Sequence, residues 1–106
     1  HPRSASALAT LGGILAREGR LADAQQAFFK AASLEPANPA YAYNLAVALD
    51  RLHKPVQAAD YYTRALHLAE QAGNPDAIPR ASALQRLEQL RGVIAARTTA
   101  QDTTAP

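Results

Sequence analysis

Two stretches of this chain, "LGGILAREGRLADAQQAFFKAASLEP" from Leu11 to Pro36 and "LAVALDRLHKPVQAADYYTRALHLAE" from Leu45 to Glu70, carry one pattern at an offset of 34 positions. A pattern of this period marks copies of one supersecondary unit, each burying its apolar face on its neighbour. At that offset Leu11 falls on Leu45, Gly12 on Ala46, Leu15 on Leu49, Ala24 on Ala58, Phe28 on Tyr62 and Ala31 on Ala65. The apolar residues recur at the three-to-four spacing of a helix, and strand-like alternation is absent. Alanine, the best helix former, makes up about a quarter of the 106 residues. The chain is predicted to be all-α and, at this length, one small domain.

Proline and glycine divide it into five helical blocks. The first spans about Ser4 to Glu18, with Ser4 or Ser6 as N-cap and Gly19 ending it in a positive-φ turn. The second, about Leu21 to Leu34, stops before "EPANP", where Asn38 caps the third and Pro39 fits its first turn. Blocks three and four, about Pro39 to Leu52 and Pro55 to Ala72, part at His53-Lys54, with His53 at the place of Gly19. After the breaker-rich "NPDAIP", a fifth block runs from about Pro79 to Arg97, with Leu84, Leu87, Leu90 and Ile94 as its apolar stripe. Residues 98–106 offer no apolar face and are expected to be disordered.

The matched positions resemble the tetratricopeptide repeat (TPR): Leu8, Leu11, Gly12, Leu15, Ala24, Phe28 and Pro36 stand at that family's places in repeat one. Leu8 and Ala42 replace its tryptophan, Leu15 and Leu49 its tyrosine, and Glu70 its closing proline. The resemblance covers about residues 5–70. It implies a right-handed α-solenoid of two repeats (about 5–38 and 39–72) with a capping helix (about 79–97), in one domain over 1–97. In such a unit Gly12 or Ala46 lets the paired helix approach at Ala24 or Ala58, while Leu15, Leu49, Phe28 and Tyr62 fill the surrounding space.

Several chemistries are disfavoured by the residues present. The chain has no cysteine, hence no disulfide, thiolate or cysteine-type zinc site. His53 and His67 lack a second ligand at helical spacing, so no metal or other cofactor is expected. Asp23, Asp50, Asp60 and Glu88 have no partner acid, no serine sits in a nucleophile motif, and "LGGILAREG" lacks the lysine and preceding strand of a phosphate loop, so no enzyme is expected. Eleven Lys and Arg against nine Asp and Glu leave a charge of +2 with no basic run, which argues against nucleic acid. Tyr61-Tyr62 is no stacking platform if Tyr62 takes the family's buried aromatic place. No apolar run is long enough to span a bilayer, so no direct membrane insertion is expected. The start "HPRSASA" reads as that of an excised segment, cytoplasmic or tethered to a bacterial membrane through residues outside it.

The resemblance implies that the inner face, formed by the first helix of each pair, docks a peptide or helix of a protein partner. Carried over, it includes Ala9, Thr10, Gly13, Ala16 and Arg17, then Tyr43, Asn44, Val47, Asp50 and Arg51, then Ser82, Gln85, Arg86 and Gln89 from helix five. Tyr43 offers an aromatic wall and Asn44 a backbone hydrogen-bonding group, while Arg17, Arg51 and Arg86 favour an acidic ligand unless solvated or paired with Asp50. Of the carboxylate clamp in chaperone-binding relatives only Asn44 matches. The expected function is a non-catalytic scaffold for a multiprotein assembly, in wording similar to bacterial TPR proteins of pilus or secretion machineries. The alternative is a homodimer through helix one and Ile14. The N-terminal edge carries Ala7, Ile14 and Glu18 where repeat two has Tyr41, Ala48 and Leu52; its more polar character favours a true end, with Ile14 a candidate for contact with an upstream helix or a second copy.

Overall fold

Among the described residues five α-helices account for the architecture, and their boundaries have local chemical causes. The computed structural model describes the backbone of residues 4–104 and the side chains of residues 4–100. Helix α1, Ala5–Arg17, begins at Ser4, whose hydroxyl accepts the Ala7 N–H at 3.3 Å; Ser4, not Ser6, is the cap. It ends in a turn at Gly19 with φ +79°, the left-handed region that glycine enters without penalty. Helix α2, Leu21–Leu34, runs to the Pro36 breaker. Asn38 Oδ1 then accepts the Ala40 N–H at 3.0 Å and starts α3, Pro39–Arg51.

His53 takes the left-handed conformation (φ 60°) at the place of Gly19. The Lys54 N–H closes that turn on the Leu49 carbonyl, as the Arg20 N–H does on Leu15. The repeat thus preserves a backbone shape even where its glycine is lost, at a cost of about 1–2 kcal/mol. Helix α4, Pro55–Gln71, passes Glu70 without interruption because no proline stops it there. A short 3-10 turn, Pro75–Ala77, follows, and Ile78 behind it is buried.

Helix α5, Arg80–Thr104, is longer than its sequence suggests. Residues 98–104, expected to be disordered, continue it. Its exposed threonines satisfy themselves locally, Thr98 and Thr99 donating to the Ile94 and Ala95 carbonyls, and the alanines favour helix without needing burial. Residues 1–3, and 105 and 106 of the expected tail, lie outside the described residues. The apolar stripe is also rotated from expectation: Ala83, Leu87 and Leu90 are buried and Ile94 half-buried, whereas Leu84 is 46% exposed. A small residue, not a leucine, seats α5 against the alanine-rich α4.

Packing is sequential, α1 on α2, α2 on α3, α3 on α4 and α4 on α5, in a body of 56 × 32 × 20 Å. The core is built from small residues: Ala24, Ala31, Ala46, Ala58, Ala65 and Ala83 are fully buried, with Leu15, Phe28, Leu45, Leu49 and Tyr62 between them. Gly12 is the tightest point. A Cβ there would lie 2.6 Å from the Phe28 ring, which stands nearest to it. Gly13, its neighbour, has nothing within 4 Å of a Cβ. Gly13→Ala is therefore expected to raise stability by about 0.5–1 kcal/mol through helix propensity, while Gly12→Ala lowers it by forcing the buried ring aside. Paired urea melts of the two variants check the contrast; a stabilised Gly12→Ala would refute the packing account.

Candidate functional site

Helix α3 turns Tyr43, Asn44, Val47, Asp50 and Arg51 to one side, the spacing of a single helical face. The aromatic and aliphatic members are half-buried and Arg51 is exposed. Between this face and α1 lies a cleft of about 210 Å³, lined by Ala16, Phe28, Tyr43, Asn44, Val47, Ala48 and Arg51. Its walls are apolar apart from the Asn44 amide and the Arg51 guanidinium. Arg51 reaches the Ala16 carbonyl at 3.5 Å, the outer limit of a hydrogen bond. That contact is weak enough for a ligand carboxylate or carbonyl to replace it.

A second cluster joins α3 to α5. Arg86 grips Asp50 with two bonds, Nε to Oδ2 at 2.7 Å and the second guanidinium nitrogen to Oδ1 at 2.8 Å. This is the bidentate geometry that makes arginine–carboxylate pairs strong. The Tyr62 hydroxyl donates to the same Oδ2 at 3.2 Å, and Arg86 also donates to Gln89 Oε1 at 3.1 Å. The Tyr62 ring meets Tyr43 edge-on, centroids 5.9 Å apart, linking this cluster to the cleft wall. The hydrogen bonds from Arg86 hold the Asp50 carboxyl below its ordinary value despite the opposing effect of burial. Burial and the adjacent carboxylate push the Tyr62 phenol well above its usual range, so it stays a donor.

The ten residues expected to form a partner groove thus divide into three sets. Tyr43, Asn44, Val47 and Arg51 share the cleft; Asp50, Arg86 and Gln89 form the α3–α5 cluster. Thr10, Gly13 and Arg17 lie on α1 outside the cleft, and Thr10 turns its hydroxyl back to the Ser6 carbonyl. The expected trio of arginines is reduced, because Asp50 neutralises Arg86. Arg17 is exposed and makes no hydrogen bond or ion pair among the described residues.

Two sets of participants, three residues in all, were missing from the sequence expectation. Phe28 and Ala48 line the cleft besides belonging to the core, and the Tyr62 hydroxyl serves the Asp50 cluster. The second was readable from the repeat itself. Where repeat one has Ala16 and Phe28, repeat two has Asp50 and Tyr62, an acid and a hydroxyl arriving together at positions that the fold brings into contact.

Among the described residues no group of three His, Cys, Asp or Glu side chains is placed to hold a metal ion, and no described helix is long and apolar enough to cross a membrane. No family model matches the chain, and no curated protein matches its sequence.

Proposed function

We propose that the chain is a TPR-type protein-interaction module, non-catalytic, that docks a segment of a protein partner on the α1–α3 face and so helps assemble a larger complex. The observation that carries this reading is the cleft with Phe28, Tyr43 and Val47 in its walls and Asn44 and Arg51 as its polar members. Its volume lies below the roughly 300–1,000 Å³ of small-molecule sites, a size suited to one apolar side chain of a bound segment. Asn44 supplies the hydrogen-bonding pair that an extended backbone needs, and Arg51 selects an acidic residue beside the anchor. The sequential stack of helices and the 34-residue pattern support the TPR reading. Arg86, paired with Asp50, serves the architecture of the face and not ligand charge.

The test starts from capture of partners out of the source cell by wild type and Arg17→Glu/Arg51→Glu, followed by affinity measurement with the partner found. Arg51→Glu is expected to weaken binding by about 10- to 100-fold, the equivalent of one charge-assisted hydrogen bond of roughly 1.5–3 kcal/mol, with helicity intact because the side chain is exposed. Unchanged affinity would remove the cleft from the binding site.

A further inference from the structure

The turns that close the two helix pairs lie side by side. Arg51, at the end of α3, reaches the Ala16 carbonyl at the end of α1, and Lys54 in the second turn donates to Gln25 Oε1 of α2 at 3.2 Å. The charged residues of 17–23 and 50–54 are thereby gathered at one end of the stack. Two of the carboxylates there are neutralised, Asp23 by Arg20 at 2.8 Å and Asp50 by Arg86. What remains is Arg17, Arg51 and Lys54 against Glu18, all exposed, with the exposed His53 beside Lys54. The surplus of two positive charges equals the net charge of the whole chain. Among the described residues the loops at the other end are acidic: Glu35 and Asp76 are exposed, and the nearby Arg80 is paired with Glu70.

The repeat places two of these cations at the α1–α3 cleft. Thr10, Gly13 and Arg17 recur on α1 as Asn44, Val47 and Arg51 do on α3. Since Asn44, Val47 and Arg51 line the cleft, Arg17 stands on the same side of the stack, at the turn end of the cleft. Lys54 is turned toward α2 instead. Glu18 lies about 100° round the helix from Arg17 and pairs with neither arginine.

We propose that the docked protein segment is acidic on the side that faces the turns: its apolar residue fills the cleft, and two carboxylates beside that residue lie on Arg51 and Arg17. The assignment rests on the cleft as docking site and adds to it a second cation and a direction for the segment. A nucleic acid suits the surface less well, because the surplus charge is only two, no basic run extends it, and the two arginines border an apolar cleft the size of one side chain.

The probe is a fluorescent peptide, Ser-Gly-Glu-Glu-Leu-Glu-Glu-Gly-Ser, whose acids meet the turn end in either chain direction. Two control peptides carry glutamine for every glutamate, or serine for the leucine. The acidic peptide is expected to bind wild type about tenfold more tightly than the glutamine peptide, the effect of two exposed ion pairs. Arg17→Gln should weaken the acidic peptide about threefold and leave the glutamine peptide unchanged, while Arg91→Gln, on the exposed side of α5, should alter neither. Equal binding of the acidic and glutamine peptides, with the leucine still required, would overturn this proposal and leave the cleft reading standing. So would an Arg17→Gln protein that binds the acidic peptide as wild type does. Acidic binding that ignores the loss of leucine would overturn both, as would no binding of any peptide. A single-stranded oligothymidine bound more tightly than the acidic peptide would overturn the proposal in favour of nucleic acid.

Discussion

Ala58→Leu is expected to destabilise the protein by about 1–3 kcal/mol, the usual cost of forcing extra methylenes into a well-packed interior. Ala58 is fully buried in α4, its repeat counterpart Ala24 is equally buried in α2, and both belong to one continuous cluster with Ala46 and Leu49. Leucine's added volume can be accepted only if helices α3 and α4 separate, and that separation would be felt by Leu45 and Tyr62, which depend on the same close approach. For a domain of this size each kcal/mol moves the thermal midpoint by about 4–8 °C, so the loss is easily read by calorimetry. Gln57→Leu, one residue earlier on the exposed side of the same helix, is the control and should change stability by no more than about 0.5 kcal/mol. An Ala58→Leu protein as stable as wild type would mean that the small positions of the repeat do not govern helix approach.

Features set by local chemistry were legible in the sequence. Ser4, Asn38, Gly19 and the prolines fixed where helices begin and end, because caps and breakers act within a few residues of themselves. Even His53 was placed at its turn by the repeat. What was not legible depended on which of two adjacent residues a neighbour selects. Hydrophobicity alone ranks Leu84 above Ala83, yet α4 presents an alanine-rich surface and admits the smaller side chain. In the same way Gly12 was correctly read as a point of close approach, but that the Phe28 ring stands nearest to it could be known only from the path of α2. The continuation of α5 past Arg97 is not readable from burial, because alanine propensity extends a helix already begun while the Thr98 and Thr99 hydroxyls are satisfied on their own helix.

The candidate site was legible in composition and not in wiring. Tyr43, Asn44, Val47 and Arg51 were placed on one face by the family resemblance, and helical spacing agrees with it. Arg86 and Asp50 were both named as members of one groove, with their pairing as the alternative, and it is that pairing which the structure has, making Arg86 a clamp on α5. The first helix after repeat two is held by α4 along Ala83, Leu87 and Leu90, and by Asp50 from α3. The face beyond Tyr43 is therefore shaped by this packing together with the Asp50–Arg86 pair and an exposed Arg80–Glu70 pair between α5 and α4.

Asp50→Asn is accordingly expected to cost about 1–2 kcal/mol near neutral pH. Hydrogen bonds to charged groups contribute roughly 1.5–3 kcal/mol, and the value is reduced here because the Arg86 side chain is 44% exposed and partly screened by water. Asparagine keeps one acceptor oxygen, enough for the Tyr62 hydroxyl and one Arg86 nitrogen, but turns its NH2 toward the other Arg86 donor, so the loss reports the charge together with that hydrogen bond. The pH dependence follows from the direction of the Asp50 shift. A carboxyl held below its ordinary value of 3.8 in the folded state stabilises the fold fully above that value, and the contribution fades as pH falls through the lower folded value. Wild type and Asp50→Asn should therefore differ by a constant amount from about pH 5 upward and converge in acid. Amide exchange should locate the effect, with protection lost first in α5 between Ala83 and Leu90 and little changed in α1 and α2. A gap between the two proteins that persists undiminished at the acid end would show that Asp50 acts through packing and not through its charge. Uniform loss of protection across all five helices would show that the clamp supports the whole stack, with α5 no freer than the rest.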